Sequence, residues 1–156
     1  MEPTQEPLRR KERAASAGDC GYVLLVDDHD LTREVYANLL RMFGYHVVEA
    51  NSARGALERC RVLRPDIVLL DIRLPDLSGW ETARRLRTDP ATSSCALLAF
   101  SASIDSAGDL HAGDDDGVFD GFVRKPVPPA ELARSIEGAL DARRRQREKS
   151  ADGAAA

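Results

Sequence analysis

No run of apolar residues in this chain approaches the ~18 that a membrane-spanning helix requires, which excludes a bilayer-crossing segment of that kind. Residues 1–17 also lack the hydrophobic segment of a signal peptide. Cysteine is scarce. Cys20, Cys60 and Cys95 form an odd set with neither a CxxC pair nor metal-ligand spacing, which argues against a disulfide framework or zinc site and for reduced thiols in a cytoplasmic protein. A basic excess is missing: the formal net charge is -4, so no general attraction to nucleic acid or anionic membrane is expected. The basic cluster Arg143-Arg144-Arg145-Gln146-Arg147 falls at a helix end, where the helix dipole favours it. Glycine-rich phosphate-binding signatures, of either the P-loop or the dinucleotide type, do not occur. His29, His46 and His111 share no ligand spacing, and in Asp114-Asp115-Asp116-Gly117 the glycine comes too early for an EF-hand loop.

What is present is a series of short apolar runs that end in polar residues. Tyr22-Val23-Leu24-Leu25-Val26 runs into Asp27-Asp28, and Ile67-Val68-Leu69-Leu70 runs into Asp71. Neither run alternates, which suits strands covered on both faces, as in parallel sheets. Tyr45 to Val48, Cys95 to Phe100 and Gly121 to Arg124 read as three further strands, the fourth ending at Ser101 and the fifth at Lys125-Pro126. Between them lie helical patterns. The first has a cap near Asp30, with Leu31, Val35, Leu39 and Met42 or Phe43 on one face, and stops at Gly44. Ser52 caps a second that carries Ala53, Ala56, Leu57 and Cys60, and Trp80, Ala83 and Leu86 outline a third. A last helix begins at the prolines after Val127 and buries Leu132, Ile136 and Leu140. Five strands alternating with helices imply an α/β domain with a parallel sheet. The 156 residues divide into a disordered leader at 1–19, one domain at 20–145 and a disordered tail at 146–156. The segment from Ile104 to Asp120 has a sparse apolar stripe broken by Gly108, Gly113 and Gly117, so any helix there is expected to be short or partly melted.

In such a sheet the strand ends converge, bringing Asp27, Asp28, Asp71, Ser101 and Lys125 to one edge, where open α/β sheets bind ligands. Taken alone, Asp71 could equally cap the turn that Pro75, Asp76, Ser78 and Gly79 create. Two carboxylates about 4 Å apart repel by roughly 4 kcal/mol at an effective dielectric of 20, so three together call for a cation or a shared proton. An ionised Asp can be a nucleophile toward phosphorus, and Mg²⁺ favours one or two carboxylates together with phosphoryl oxygens.

From Gly21 to Arg143 the chain resembles the receiver domains of two-component response regulators, of the single-domain chemotaxis type. The resemblance rests on Val26-Asp27-Asp28, Leu70-Asp71 with Leu74-Pro75-Asp76-Leu77-Ser78-Gly79, Ala99-Phe100-Ser101-Ala102 and Lys125-Pro126. It implies a doubly wound, flavodoxin-like five-stranded parallel sheet of order 2-1-3-4-5 with helices on both faces. It also implies that Asp71 is the phosphoacceptor in a phosphorelay, Mg²⁺ the cofactor, and Asp28 a direct ligand, with Asp27 acting largely through water and the Arg73 backbone carbonyl as third protein ligand. Ser101 and Phe122 would be the switch pair and Lys125 the phosphate-binding amine. The partners implied are a histidine kinase or histidine phosphotransfer protein and a downstream protein target, with the chain a monomer or weak homodimer and no nucleic acid or membrane contact of its own. The expected role is that of a phosphoacceptor which hydrolyses its own aspartyl phosphate and is not a dedicated enzyme. Dehalogenase-like phosphatases also pair an Asp nucleophile with Mg²⁺, but they place an Asp general acid two residues later, where this chain has Arg73. The remaining alternative is a receiver-like binding module that acts without phosphorylation.

Overall fold

The computed structural model describes residues 21–102 and 117–154. The expected leader at 1–19, most of the glycine-rich segment before Asp120, Cys20, His111 and the acidic run at 114–116 lie outside the described residues. Five parallel strands, β1 (Tyr22–Val26), β2 (His46–Ala50), β3 (Ile67–Leu70), β4 (Ala96–Ser101) and β5 (Gly121–Arg124), form one sheet of order β2-β1-β3-β4-β5. Four helices accompany them: α1 (Asp30–Met42), α2 (Ala53–Leu63), α3 (Gly79–Thr88) and α4 (Pro129–Ala154).

Every residue of β1, β3 and β4 is buried, because each strand is covered on both faces. The period of two in side-chain direction sorts them. Val23, Leu25, Ile67, Leu69, Leu98 and Phe100 meet Ala37 and Leu40 of α1 and Leu132, Ile136 and Ala139 of α4. Leu24, Val26, Val68, Leu70 and Leu97 meet Ala56 and Cys60 of α2 and Ala83 and Leu86 of α3. Full burial of each such Leu, Ile or Val contributes roughly 1.5–3 kcal/mol of transfer free energy, so both layers anchor the strand ends firmly.

Two expectations from the sequence are corrected. The inward face of α1 is Ala37 and Leu40, with Tyr36 and Leu39 partly buried, whereas Leu31, Val35 and Met42 are exposed. The helix lies against β1 and β2 and turns Ala37 and Leu40 into the cluster, and the larger apolar residues fall on another face. The chain past Arg145 is also helical, since α4 continues to Ala154. Its Arg, Gln, Glu, Lys and Ala residues are strong helix formers and extend the helix beyond the part that touches the sheet. Among the described residues no helix is long and apolar enough to cross a membrane.

At the amino-terminal end of the sheet a largely buried ion pair ties the layers together. The Arg87 guanidinium donates to the carbonyl oxygens of Val118 and Ser93 at 3.1 and 3.0 Å, to that of Cys95, and to the Asp120 carboxylate at 2.8 Å. Asp120 also accepts from the Leu97 amide at 2.8 Å, extending the β4–β5 pairing by one link. Removing one partner of a buried pair leaves the other unneutralised and costs roughly 3 kcal/mol or more. Asp120→Ala should therefore lower the unfolding free energy by about that amount, whereas Glu58→Ala, which breaks an exposed pair with Arg54, should change it by no more than about 0.5 kcal/mol. Urea unfolding of the two variants checks the contrast.

Candidate functional site

The strand register assembles the site. Val26 is level with Leu70, and Leu70 with Ala99, so the residues that follow each strand emerge side by side at the carboxyl edge. The Asp71 amide donates to the Val26 carbonyl oxygen at 3.1 Å and the Asp27 amide to that of Ala50 at 3.1 Å. The ladder therefore carries both acidic residues one step past the last sheet residue and fixes their backbones. Carboxylate oxygens of Asp27, Asp28 and Asp71 lie within 4.8 Å of one another. Asp27 and Asp71 are buried and Asp28 is exposed, so the cluster opens to solvent on one side.

Hydrogen bonds fix the two buried acids of this cluster. Asp27 accepts from the His29 amide at 2.9 Å and from the Lys125 ammonium, and its backbone carbonyl accepts from Arg33 at 2.8 Å. One oxygen of Asp71 accepts from the Ser101 hydroxyl at 2.8 Å and the Arg73 amide at 3.1 Å, while the other faces the Lys125 ammonium at 3.5 Å. Lys125, buried by β5 and the loop after it, also lies over the Phe100 ring at 5.1 Å. The cluster of three carboxylates thus holds one ammonium, shared by Asp27 and Asp71, and the surplus negative charge together with all-oxygen donors suits a small hard divalent cation.

The loop after Asp71 is held from both sides. Gly79 packs so tightly that a Cβ there would overlap the carbonyl oxygen of Asp71 and the Cα of Ile72, and its amide donates to the Ile72 carbonyl oxygen at 2.7 Å. Only glycine permits that approach. Asp76 reaches across to α2, its two oxygens accepting from the Ala53 and Arg54 amides at 2.9 Å each, while Ser52 caps the same helix through the Gly55 amide. Four orphan N–H groups begin every helix, and here the loop after Asp71 satisfies two of those of α2.

All the residues singled out in the sequence, Asp27, Asp28, Asp71, Ser101 and Lys125, meet at this edge, with Arg73 in the adjoining loop. Phe122 lies elsewhere. Level with Ala99, it is 37% exposed and packs in an aromatic group with Trp80 and Phe119 at 5.9 and 5.6 Å, Trp80 and Phe119 being 5.1 Å apart. Ser101 already touches Asp71, so no inward swing is needed to bring it there. Sequence reasoning missed the reach of Asp76 to α2 and the contact of Arg33 with Asp27. Asp76 looked like turn chemistry and Arg33 was not singled out at all, and only the fold shows the amides that Asp76 accepts from and the carbonyl that Arg33 donates to. Burial pushes the Cys95 thiol up to about 11 and that of Cys60 further still, so both remain inert, protonated core residues.

A doubly wound α/β domain with an acidic, lysine-bridged pocket at its switch edge is the class that fold and site define. Comparison with known proteins narrows it. The family model for the response regulator receiver domain matches residues 23–137. The chain is 34% identical over 118 residues to the DNA-binding response regulator MtrA of Mycolicibacterium smegmatis, covering 76% of this chain and 50% of that protein. It is 37% identical over 122 residues to the transcriptional regulatory protein CseB of Streptomyces coelicolor, covering 78% and 50%. It thus spans about half the length of these curated relatives. Among solved structures, a LuxR-family two-component response regulator from Aurantimonas superposes with a TM-score of 0.67 at 37% identity, covering 78% of this chain and 85% of that one. The receiver domain of the sensor histidine kinase PA1611 from Pseudomonas aeruginosa, with a magnesium ion coordinated in its active-site cleft, does so with a TM-score of 0.71 at 26% identity, covering 80% and 99%. The chain belongs to the response regulator receiver domain family of two-component signalling.

The tether of Asp76 gives a pH signature. Hydrogen bonds from the amides of Arg54 and then Ala53 hold its carboxyl below the ordinary value of 3.8. A carboxyl whose folded-state pKa is depressed stabilises the fold fully above its unfolded value and loses that contribution as the pH falls through the folded one. Asp76→Asn should therefore have a lower Tm than the wild type at neutral pH, the two curves converging below about pH 4. Thermal melts across that range test it.

Proposed function

We propose that Asp71 accepts a phosphoryl group from a phosphohistidine on a kinase or phosphotransfer protein, and that the modified domain signals by binding a further protein. The observation that carries this reading is that Ser101 and Lys125 approach different oxygens of Asp71 beside a surplus of carboxylates. In the transfer, a carboxylate oxygen of Asp71 forms a bond to phosphorus while the bond from phosphorus to the donor imidazole nitrogen breaks, and the imidazole leaves with its electron pair. Asp71 is held for this by the Arg73 amide and the Ser101 hydroxyl, which fix its plane. Lys125 supplies a positive charge for one equatorial oxygen and Ser101 a donor for another, so the chain mainly positions groups and neutralises charge.

Mg²⁺ is the cation proposed for the site. Asp28 and Asp71, with the Arg73 carbonyl, would hold it and Asp27 would act through water. When bound, the ion supplies charge neutralisation between the carboxylates and the incoming phosphoryl oxygens. The magnesium in the cleft of the PA1611 receiver domain supports the assignment. Phosphorylation by acetyl phosphate, followed by intact mass, tests the whole reading. One phosphoryl adduct is expected on the wild type with Mg²⁺, and none without the metal or on Asp71→Asn. An unmodified wild type with every donor, or equal yield on Asp71→Asn, would leave a binding module that works without phosphorylation.

Lys125 gives a second test. Its ammonium already sits between Asp27 and Asp71, so an arriving divalent cation must compete with it. Lys125→Ala is expected to bind Mg²⁺ several-fold more tightly while becoming phosphorylated more slowly, since the charge that opposes the ion is the one that helps the phosphoryl group. A titration followed by the fluorescence of Trp80, which adjoins Gly79 and through it Asp71, separates the two effects.

A further inference from the structure

Arg33 makes three contacts, two of them outside its own helix. From α1, one of its terminal nitrogens donates to the backbone carbonyl oxygen of Asp27 at 2.8 Å and the other to the Asp30 carboxylate at 2.8 Å, while its Nε donates to Glu49 of β2 at 3.3 Å. Glu49 in turn accepts from Arg41 at 3.4 Å, so the acceptor that orients Arg33 is itself held by a second arginine on the same helix. The side chain of Arg33 is mostly buried, at 16% exposure. These contacts complete a pattern at Asp27. Its amide donates to Ala50, one carboxylate oxygen accepts from His29 and the other from Lys125, and its carbonyl accepts from Arg33. All four polar atoms are engaged, and the carbonyl belongs to the same peptide plane as the Asp28 amide. Fixing that plane fixes the direction from which Asp28 projects.

We infer that Arg33 is a positioning residue for the cation site, holding the peptide between Asp27 and Asp28 so that the exposed Asp28 carboxylate stays within reach of Asp71. The inference rests on the cation role proposed above. A guanidinium is suited to it because its planar fork serves three acceptors at fixed angles, which the single ammonium of lysine cannot do. The competing account is purely electrostatic: Arg33 is a positive charge beside a site for a positive ion, and as a charge alone it would oppose binding. The two accounts predict opposite signs. Loss of positioning weakens Mg²⁺ binding, whereas loss of a repelling charge strengthens it.

The test is calorimetric Mg²⁺ titration of the full chain as wild type, Arg33→Lys, Arg33→Met and Glu49→Gln, with the amide resonance of Asp28 recorded in the metal-free proteins. Both Arg33 variants are expected to lose roughly tenfold in Mg²⁺ affinity, about 1.4 kcal/mol, and to shift the Asp28 resonance before any metal is added. Glu49→Gln, which keeps Arg33 but weakens its anchor, is expected to fall between them and the wild type. Urea midpoints of all four proteins separate a local effect from a general loss of stability, because Arg33→Lys preserves charge and bulk. Tighter binding by Arg33→Met with Arg33→Lys unchanged would establish the electrostatic account and overturn the inference. So would unchanged affinity and an unmoved Asp28 resonance in both. A wild type that binds no Mg²⁺ would instead sink the cation assignment itself, and the positioning role with it.

Discussion

The mutual repulsion of Asp27, Asp28 and Asp71 is the constraint around which this domain is arranged. Carboxylate oxygens within 4.8 Å of one another are unfavourable unless something positive stands among them, and the Lys125 ammonium, shared between Asp27 and Asp71, is one such charge. Two of the three acids are buried, which raises the penalty of leaving them unpaired. The lysine comes from the far end of the sequence, after β5, so neutralising the cluster requires the whole sheet to be in register. The stored repulsion is therefore a consequence of folding, relieved in part by one amine and available to whatever cation or phosphoryl group enters.

Holding such a cluster open requires a rigid frame, and its parts are hydrogen bonds to backbone. Asp71 and Asp27 continue the sheet ladder, Gly79 presses against the Asp71 carbonyl, and Asp76 fastens the following loop to the start of α2. At the opposite end, Arg87 and Asp120 lock α3 to β4 and to the approach of β5. Lys125 then has little freedom in where its backbone stands, because its amide donates to the Ser101 carbonyl oxygen at 3.1 Å. Precision at the site is therefore inherited from the two apolar layers, which hold the five strands in register, β1, β2 and β3 ending level and β4 and β5 running two residues further.

Much of this was legible from the sequence, for a physical reason. Strands buried on both faces are continuous apolar runs, so β1 and β3 and the acids that terminate them stood out, and a sheet of alternating strands and helices brings such ends together. Amphipathic α1 was misread because the largest apolar residues, Leu31, Val35 and Met42, suggested a face, whereas close packing chose Ala37 and Leu40. The continuation of α4 was missed because the Ala and Gly of the tail looked like disorder, although its Arg, Gln, Glu, Lys and Ala residues favour helix. Asp76 and Arg33 escaped for a different reason: their partners lie 22 or more residues away in Ala53 and Arg54, or on a backbone atom that carries no sequence signal at all.

The position of Ser101 changes how a switch in this domain must be energised. Shifting a two-state equilibrium from 1:99 to 99:1 takes about 5.5 kcal/mol, and a new hydrogen bond to a charged group supplies roughly 1.5–3. Ser101, however, already donates to the Asp71 carboxylate, so the phosphorylation proposed for Asp71 would exchange one charged acceptor for another, and the net gain from that hydroxyl would be smaller than a new bond gives. Lys125 is in the same position, already paired with Asp27 and Asp71. The remainder must come from repacking. Phe122 is the group with surface left to bury, being 37% exposed, and covering the rest of a phenyl ring yields about 1–2 kcal/mol. Its neighbours Trp80 and Phe119 determine whether that burial is possible, and aromatic pairs at these separations contribute about 0.5–1.5 kcal/mol each. Trp80 follows Gly79, which touches the backbone of Asp71, so the aromatic group is joined to Asp71 through α3 as well as through β4. A switch built this way draws on several modest terms acting together, and the hydroxyl that first attracts attention is one of the smaller among them.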